Sequence, residues 1–324
     1  MVTGGAGFIG SHLVDRLVAE GWDVLVIDDL STGTTGNVNP QARLEVHDVA
    51  AGALVRLFRA WGPHVVFHLA AQASVPQSIR DPLRDLAVNV VGTHRVSTAS
   101  GRAGVQRLVF VSSAGAVYGE CRNPATERTC PSPTSYYGIH KLAAEGHVRL
   151  AGVPYSIARL SNVYGPRQAP GLEGAVIASF VAQAFGPTGF VIHGDGSQSR
   201  DFIHVLDTVE ALWLLGVVAR PESTWNVASG DSVSVLTVAE FVERSVGHRV
   251  ERAFGPLRPG DIRRSTISVA RLKRLGWERH ISLSDGIAEL VQHEALRRPG
   301  RASTSGTRDE EPLESGAEHS RTTG

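Results

Sequence analysis

The chain has 324 residues, with 32 Lys and Arg against 32 Asp and Glu and only two cysteines. Balanced charge supplies no global field toward nucleic acid or an anionic membrane. The longest apolar stretch, near Ala211 to Ala219, is too short to cross a bilayer, and no basic segment followed by an apolar core opens the chain. A soluble cytoplasmic protein, partnered by neither nucleic acid nor membrane, is the expectation.

The first dozen residues, Met1-Val-Thr-Gly-Gly-Ala-Gly-Phe-Ile-Gly-Ser-His12, place a glycine-rich turn between a strand and an amphipathic helix. Gly5-x-Gly7-x-x-Gly10 lets the backbone turn sharply and approach a pyrophosphate without a Cβ in the way. Amide N–H groups at the helix start then face the phosphates. Leu13, Val14, Leu17 and Val18 recur at helical spacing, Gly21 can end the helix, and Asp23 to Asp28 reads as a buried parallel strand. Asp28 falls near the offset of about 20 residues at which an acid accepts hydrogen bonds from an adenosine ribose. A carboxylate there repels a 2′-phosphate, so NAD is expected rather than NADP. Only Met1 to Thr3 precede the glycines, so either the first strand is short or the chain begins within it.

Strand and helix patterns then alternate: a strand at Leu44 to Asp48, a helix near 50–60, a strand at His64 to Leu69 and a long helix near 82–103. A strand at Arg107 to Ser112, a helix from Ser135 to Ala151 and a strand at Tyr155 to Leu160 complete the series. This is an α/β pattern, a doubly wound parallel sheet that binds ligands at the carboxyl ends of its strands. Residues 1–165 form this nucleotide domain. From 166 to 298, shorter elements rich in Gly and Pro suggest a smaller α+β substrate lobe, although segments such as Asp201 to Val205 could return to the first domain. Residues 299–324, with Leu313 as their only large aliphatic residue, read as a solvated tail. Cys121 and Cys130 share one loop and could pair, but unpaired thiols in a reducing compartment are expected. His64 and His68 flank a strand, Val65-Val66-Phe67, and no metal site is expected from them.

Tyr137 and Lys141 lie four apart in a predicted helix, on one face. A tyrosine titrates near 10, so acting as a base near neutrality requires a cation to lower it by about two to three units. Lys141 is placed to help.

Thr3-Gly-Gly-Ala-Gly-Phe-Ile-Gly10, Asp28, His68-Leu-Ala-Ala71, Asn89, Ser112-Ser113, Val117-Tyr-Gly119 and Tyr137-x-x-x-Lys141 together resemble an extended short-chain dehydrogenase/reductase. Within that superfamily the chain most resembles the UDP-sugar 4-epimerases. The likeness extends to about Leu296, through Asn162-Val-Tyr-Gly-Pro-Arg167, Gly194 to His204 and Arg258-Pro-Gly-Asp261. The resemblance implies a Rossmann domain with NAD as cofactor. Its pyrophosphate would be held by Gly4, Gly7, Phe8, Ile9 and Gly10, and its adenosine by Asp28, Asp29, Asp48 and Val49. Leu69, Ala70, Ala71 and Asn89 would line the inner side, with Tyr137 and Lys141 at the nicotinamide ribose. It further implies Asn162, Arg200, Arg258 and Asp261 as residues binding the UDP half of the substrate, and a homodimer built from the two long helices.

The family usually places a Ser or Thr three residues before Val-Tyr-Gly, where this chain has Ala114. Ser113, one residue earlier, is the expected catalytic and substrate-binding hydroxyl beside Tyr137 and Lys141. Related dehydratases carry Asp-Glu just after that hydroxyl, and decarboxylases a Glu; here Gly115 and Ala116 stand there. A reaction that only moves a hydride and a proton is favoured, namely 4-epimerisation through a 4-keto sugar. UDP-glucose/UDP-galactose is the default pair. UDP-glucuronate/UDP-galacturonate and the N-acetylhexosamines stay open, with Arg167 a candidate for a C6 carboxylate and Glu173 against it. A nucleotide-sugar oxidoreductase, a decarboxylase or dehydratase of the superfamily, and a catalytically silent NAD-binding protein are the alternatives.

Overall fold

The computed structural model describes residues 1–52, 54–121, 123–171, 174–257 and 262–297. In chain order the strands are β1 (Val2–Thr3), β2 (Leu25–Asp28), β3 (Arg43–Val46), β4 (Val65–His68), β5 (Arg107–Ser113) and β6 (Tyr155–Leu160). There follow β7 (Asn162–Tyr164), β8 (Phe190–His193), β9 (Ser199–His204), β10 (Ser223–Val227), β11 (Ser232–Ser234) and β12 (Arg252–Gly255). Seven form one parallel sheet in the order β10-β6-β5-β4-β1-β2-β3. Winding runs outward in both directions from β1 and β4. Their carboxyl ends therefore border the switch-point crevice where such sheets take ligands.

Side-chain alternation divides the core in two. Val24 and Val26 pack with Leu13, Val14 and Leu17 of the Phe8–Ala19 helix and with Leu212 and Leu215 of the Val205–Val217 helix. Leu25 and Ile27 face the other way, onto Phe58 and Val96 and onto Ala144 and Val148 of the Tyr136–Arg149 helix. A third core joins the Val176–Ala184, Val235–Val246 and Leu283–Arg297 helices around Phe180, Phe190 and Ile287.

The first strand is two residues long, but it is hydrogen-bonded on both sides, with Val2 opposite Val26 and Phe67. Ser199–His204 does not rejoin the large sheet; it pairs with β7 and β11. What returns is the Val205–Val217 helix, packed on the Phe8–Ala19 helix, and β10 at the sheet edge. The expected long helix near 82–103 runs without a gap from Pro82 to Arg102 but takes a π-turn at Ala87–Gly92, between Pro82–Leu86 and Thr93–Arg102, and a separate Val75–Arg80 helix precedes it. Ser74 and Asp81 cap these short helices, accepting from the N–H of Gln77 and Arg84. A π-turn carries one extra residue, a feature common at functional sites, and Asn89 lies within it. Among the described residues no helix is long and apolar enough to cross a membrane. The sequence-predicted tail at 299–324 lies outside the described residues.

Candidate functional site

Where β1 gives way to the first helix, close backbone approach explains the glycines. Gly4 has φ +72°, and a Cβ on it would lie 2.6 Å from the Ala70 nitrogen. A Cβ on Gly10 would lie 2.0 Å from the Gly4 carbonyl oxygen. Gly7 caps the helix with no side-chain hydrogen bond, so the N–H groups of Phe8, Ile9 and Gly10 have no intrahelical acceptor. They form an anion cradle at the positive end of the helix dipole. Asp28, nearly buried, accepts from the Ala6 N–H at 2.9 Å through Oδ2 and from the Leu30 N–H at 2.9 Å through Oδ1. An ionised carboxylate offers about four acceptor sites, so capacity remains for ribose hydroxyls. Asp29 is exposed and bonded to Ser31, Asp48 caps the turn at Ala50, and Val49 is buried beside it.

A directed chain of hydrogen bonds ties this turn to Asn89. The Ala70 N–H donates to Thr3 Oγ1 at 3.3 Å, and Thr3 Oγ1 lies 2.7 Å from His68 Nδ1. His68 Nε2 lies 3.0 Å from Thr93 Oγ1, whose proton goes to the Asn89 carbonyl at 2.7 Å. Since Thr93 spends its proton on Asn89, it accepts from Nε2–H, and Nδ1 accepts from Thr3. Leu69, Ala70 and Ala71 follow directly as the rim of the crevice, with the Leu69 N–H on the Thr3 carbonyl.

The Tyr136–Arg149 helix is capped by Ser135, whose Oγ accepts from the Gly138 N–H. It carries half-buried Tyr137 and buried Lys141 on one face. Lys141 Nζ donates to the Val111 carbonyl at 2.6 Å and lies 4.5 Å from the centre of the Phe110 ring. Burial lowers its pKa from 10.5 to about 8. Val111 is its hydrogen-bond acceptor among the described residues, and an ammonium has three N–H groups, so two stay available. The two serines of β5 differ. Ser112 is buried and donates to Glu145 Oε1 at 2.7 Å. Ser113, half-buried at the strand's end, has a hydroxyl with no hydrogen bond among the described residues. Glu145 is in turn gripped by Arg159 at 2.8 and 2.6 Å.

Asn162 opens β7, half-buried, and Arg200 lies on β9 with one Nη1–H on the Ser199 carbonyl. Arg167 departs from expectation. Its φ is +67° and its guanidinium pairs with Asp15 at 2.8 Å, on the outer side of the first helix. Its charge is thus paired with a carboxylate two turns along that helix, and no contact joins it to Ser113 or Tyr137 among the described residues. Arg258, Asp261 and Glu173 lie outside the described residues. Sequence reasoning missed Asp85 and Gln72, both bonded to Asn89, and His140, bonded to Asp85. The spacing of Asp85 to Asn89, one helical turn, was the available signal. Cys121 and Cys130 are both free thiols.

A model of the NAD dependent epimerase/dehydratase family matches residues 1–228. The chain belongs to this family. It is 38% identical over 303 residues to a UDP-glucose 4-epimerase of Mycolicibacterium smegmatis, covering 90% of this chain and 97% of that one. Among solved structures, the family member from Thermus thermophilus, a UDP-glucose 4-epimerase complexed with NAD, superposes with a TM-score of 0.87 at 36% identity. That match covers 90% of this chain and 97% of the other. A UDP-glucose 4-epimerase of Thermotoga maritima with UDP-glucose gives 0.88, also at 36%, over 91% and 98% of the two chains. The residues present fit the family's NAD: a cradle that any Cβ would fill, uncapped helical N–H groups, and an Asn89 Oδ1 buried without a donor.

Burial and the nearby Lys141 charge lower the His68 pKa from 6.5 to about 3. The unfolded chain thus binds a proton below about pH 6.5 that the folded protein refuses until about pH 3. The stability contributed is complete above pH 6.5 and is lost as pH falls through that window. Urea midpoints measured from pH 7 to pH 4 should fall, and fall less steeply in His68→Gln, which keeps one donor and one acceptor. His204, lowered to about 4 by burial, adds to the same limb in both proteins. Equal slopes would contradict the assignment.

Proposed function

We propose that the protein catalyses 4-epimerisation of a UDP-hexose, interconverting UDP-glucose and UDP-galactose. What supports this reading is that Lys141, one helical turn from Tyr137, donates to the Val111 carbonyl two residues before the uncommitted Ser113 hydroxyl, at the carboxyl end of β5. The Ala114–Tyr118 helix that follows Ser113 brings no carboxyl group, so elimination or decarboxylation has no added acid there.

Tyr137, as phenolate, takes the proton of the sugar's 4-hydroxyl. Lys141 stabilises that phenolate electrostatically and offers its remaining N–H groups to the cofactor ribose, while Ser113 hydrogen-bonds the 4-oxygen. NAD, when bound, accepts and returns the hydride of C4. Gly4, Gly7, Phe8, Ile9 and Gly10 hold its pyrophosphate. Asp28 holds the adenosine ribose, with Asp29, Asp48 and Val49 around the adenosine, and Leu69, Ala70, Ala71 and Asn89 line its inner side. Asn162 and Arg200, with Arg258 and Asp261, bind the UDP half, Arg offering forked donors to a diphosphate. With its diphosphate fixed, the 4-keto sugar turns its other face and recovers the hydride with inverted configuration. The commitment of Arg167 to Asp15 favours a neutral C6 over a carboxylate.

The same reading includes a homodimer. Ile79, Leu83, Tyr136 and Ile139 lie exposed along the helices at 75–102 and 136–149, with Leu150 just past the second, Leu83 at 76% and Leu150 at 89%, an apolar face that a second copy would cover. Two free thiols suit the reducing cytoplasm.

Purified protein given UDP-glucose without added cofactor should form UDP-galactose, resolved by chromatography, and UDP-glucuronate should remain unchanged. Tyr137→Phe should lower turnover about a hundred- to ten-thousand-fold, and Ser113→Ala should lower it measurably. Conversion of UDP-glucuronate alone would overturn the substrate, and unchanged turnover in Ser113→Ala would remove that residue from the mechanism. In sedimentation equilibrium the wild type should be dimeric and Ile139→Glu shifted toward monomer. A monomeric wild type would reject the dimer.

A further inference from the structure

Behind the proposed base lies a buried carboxylate that the reaction does not use. Asp85 is fully buried, and three donors converge on it. Gln72 Nε2 reaches Oδ1 at 2.6 Å, Asn89 Nδ2 reaches Oδ1 at 3.0 Å, and His140 Nδ1 reaches Oδ2 at 2.5 Å. An ionised carboxylate only accepts, so each facing atom carries a proton. The Gln72 amide cannot turn round, because its Oε1 accepts from the Ser74 N–H at 2.6 Å. Asn89 Nδ2 also donates to the Gln72 carbonyl at 2.9 Å, which spends both amide hydrogens. Reversing Asn89 would set its oxygen against a carbonyl and a carboxylate.

The consequence is a buried amide oxygen with one permitted kind of partner. Asn89 Oδ1 has no hydrogen-bond partner among the described residues, and such a group costs about 1–3 kcal/mol when left unpaired. Only a donor can satisfy it. Asn89 sits in the π-turn, one residue beyond the standard helical register, against the loop at Gln72 that continues the Leu69–Ala71 rim. The π-turn also packs on the Tyr136–Arg149 helix, where His140 lies between Tyr137 and Lys141.

We propose that Asp85 is a positioning residue for the cofactor. By holding Gln72 and Asn89 as donors, it fixes Asn89 Oδ1 as the acceptor for a hydroxyl or N–H of the bound dinucleotide. Through His140 it ties that setting to the helix bearing Tyr137 and Lys141. The inference rests on NAD being the ligand of the crevice. Asp85 touches neither cofactor nor sugar; it acts through Asn89.

The test is a double-mutant cycle on NAD affinity, read by equilibrium dialysis rather than by turnover. Asp85→Ala and Asn89→Ala should each weaken NAD about five- to fifty-fold, and the double variant should bind no more weakly than the worse single. Asp85→Asn, whose carbonyl can again accept from Gln72 and Asn89 while His140 moves its proton to Nε2, should recover most of the loss. Thermal melts without NAD report folding. If Asp85→Ala fails to fold, Asp85→Thr, with one hydroxyl for three donors, replaces it in the cycle. A folded variant at position 85 with wild-type NAD affinity, or losses that add in the double variant, would overturn the proposal. A wild type that binds no NAD would overturn the cofactor reading and this inference with it.

Discussion

Gly4 and Ala70 meet backbone to backbone, so close that no side chain fits between them. This contact draws the ends of β1 and β4 together at the point where the winding of the sheet reverses. The next helix begins after Gly7, which has no side chain to cap its first turn, so its first amides stay uncapped. Asp28 reinforces the turn from the neighbouring strand by accepting the Ala6 N–H. A β1 of two residues suffices because both of its edges are paired.

Around this turn the interior holds polar groups in single, assigned states. His68 is neutral and oriented by two threonines; Asp85 receives three donors. Burial pushes the Glu145 carboxyl up, but hydrogen bonds from Arg159, Ser112 and Arg149 hold it below its ordinary value. Such networks are costly when incomplete and rigid when satisfied. They join the glycine turn, the π-turn and the helix of Tyr137 and Lys141, so the groups proposed for binding and for proton transfer are held by one connected framework. Within this framework the Asn89 oxygen is left without a donor among the described residues.

Much of this was legible in local patterns. The glycine turn, the alternating strands and the one-turn spacing of Tyr137 and Lys141 depend on neighbours within a few residues, and the structure reproduces them. The pairing of Arg167 with Asp15 is not legible in the sequence because the two are far apart in it, and a guanidinium goes to the carboxylate that folding brings near. The π-turn within this helix is not legible in the sequence because Pro82 to Ala103 is helical in pattern throughout. Asp85 could have been paired with Asn89 by helical spacing, but its burial and its third donor, His140, come from another helix. Ser113 beside Ala114 was read from the motif, and the contrast with Ser112, committed to Glu145, is visible only in three dimensions.

In the proposed reaction one bound cofactor removes and returns the same C4 hydrogen. UDP-glucose labelled with deuterium at C4, incubated with purified protein and no added nucleotide, tests it most directly by mass spectrometry of the epimer. UDP-galactose should keep its deuterium at C4, with no label in solvent or free cofactor. Loss of the label to water, or its appearance in released cofactor, would contradict it.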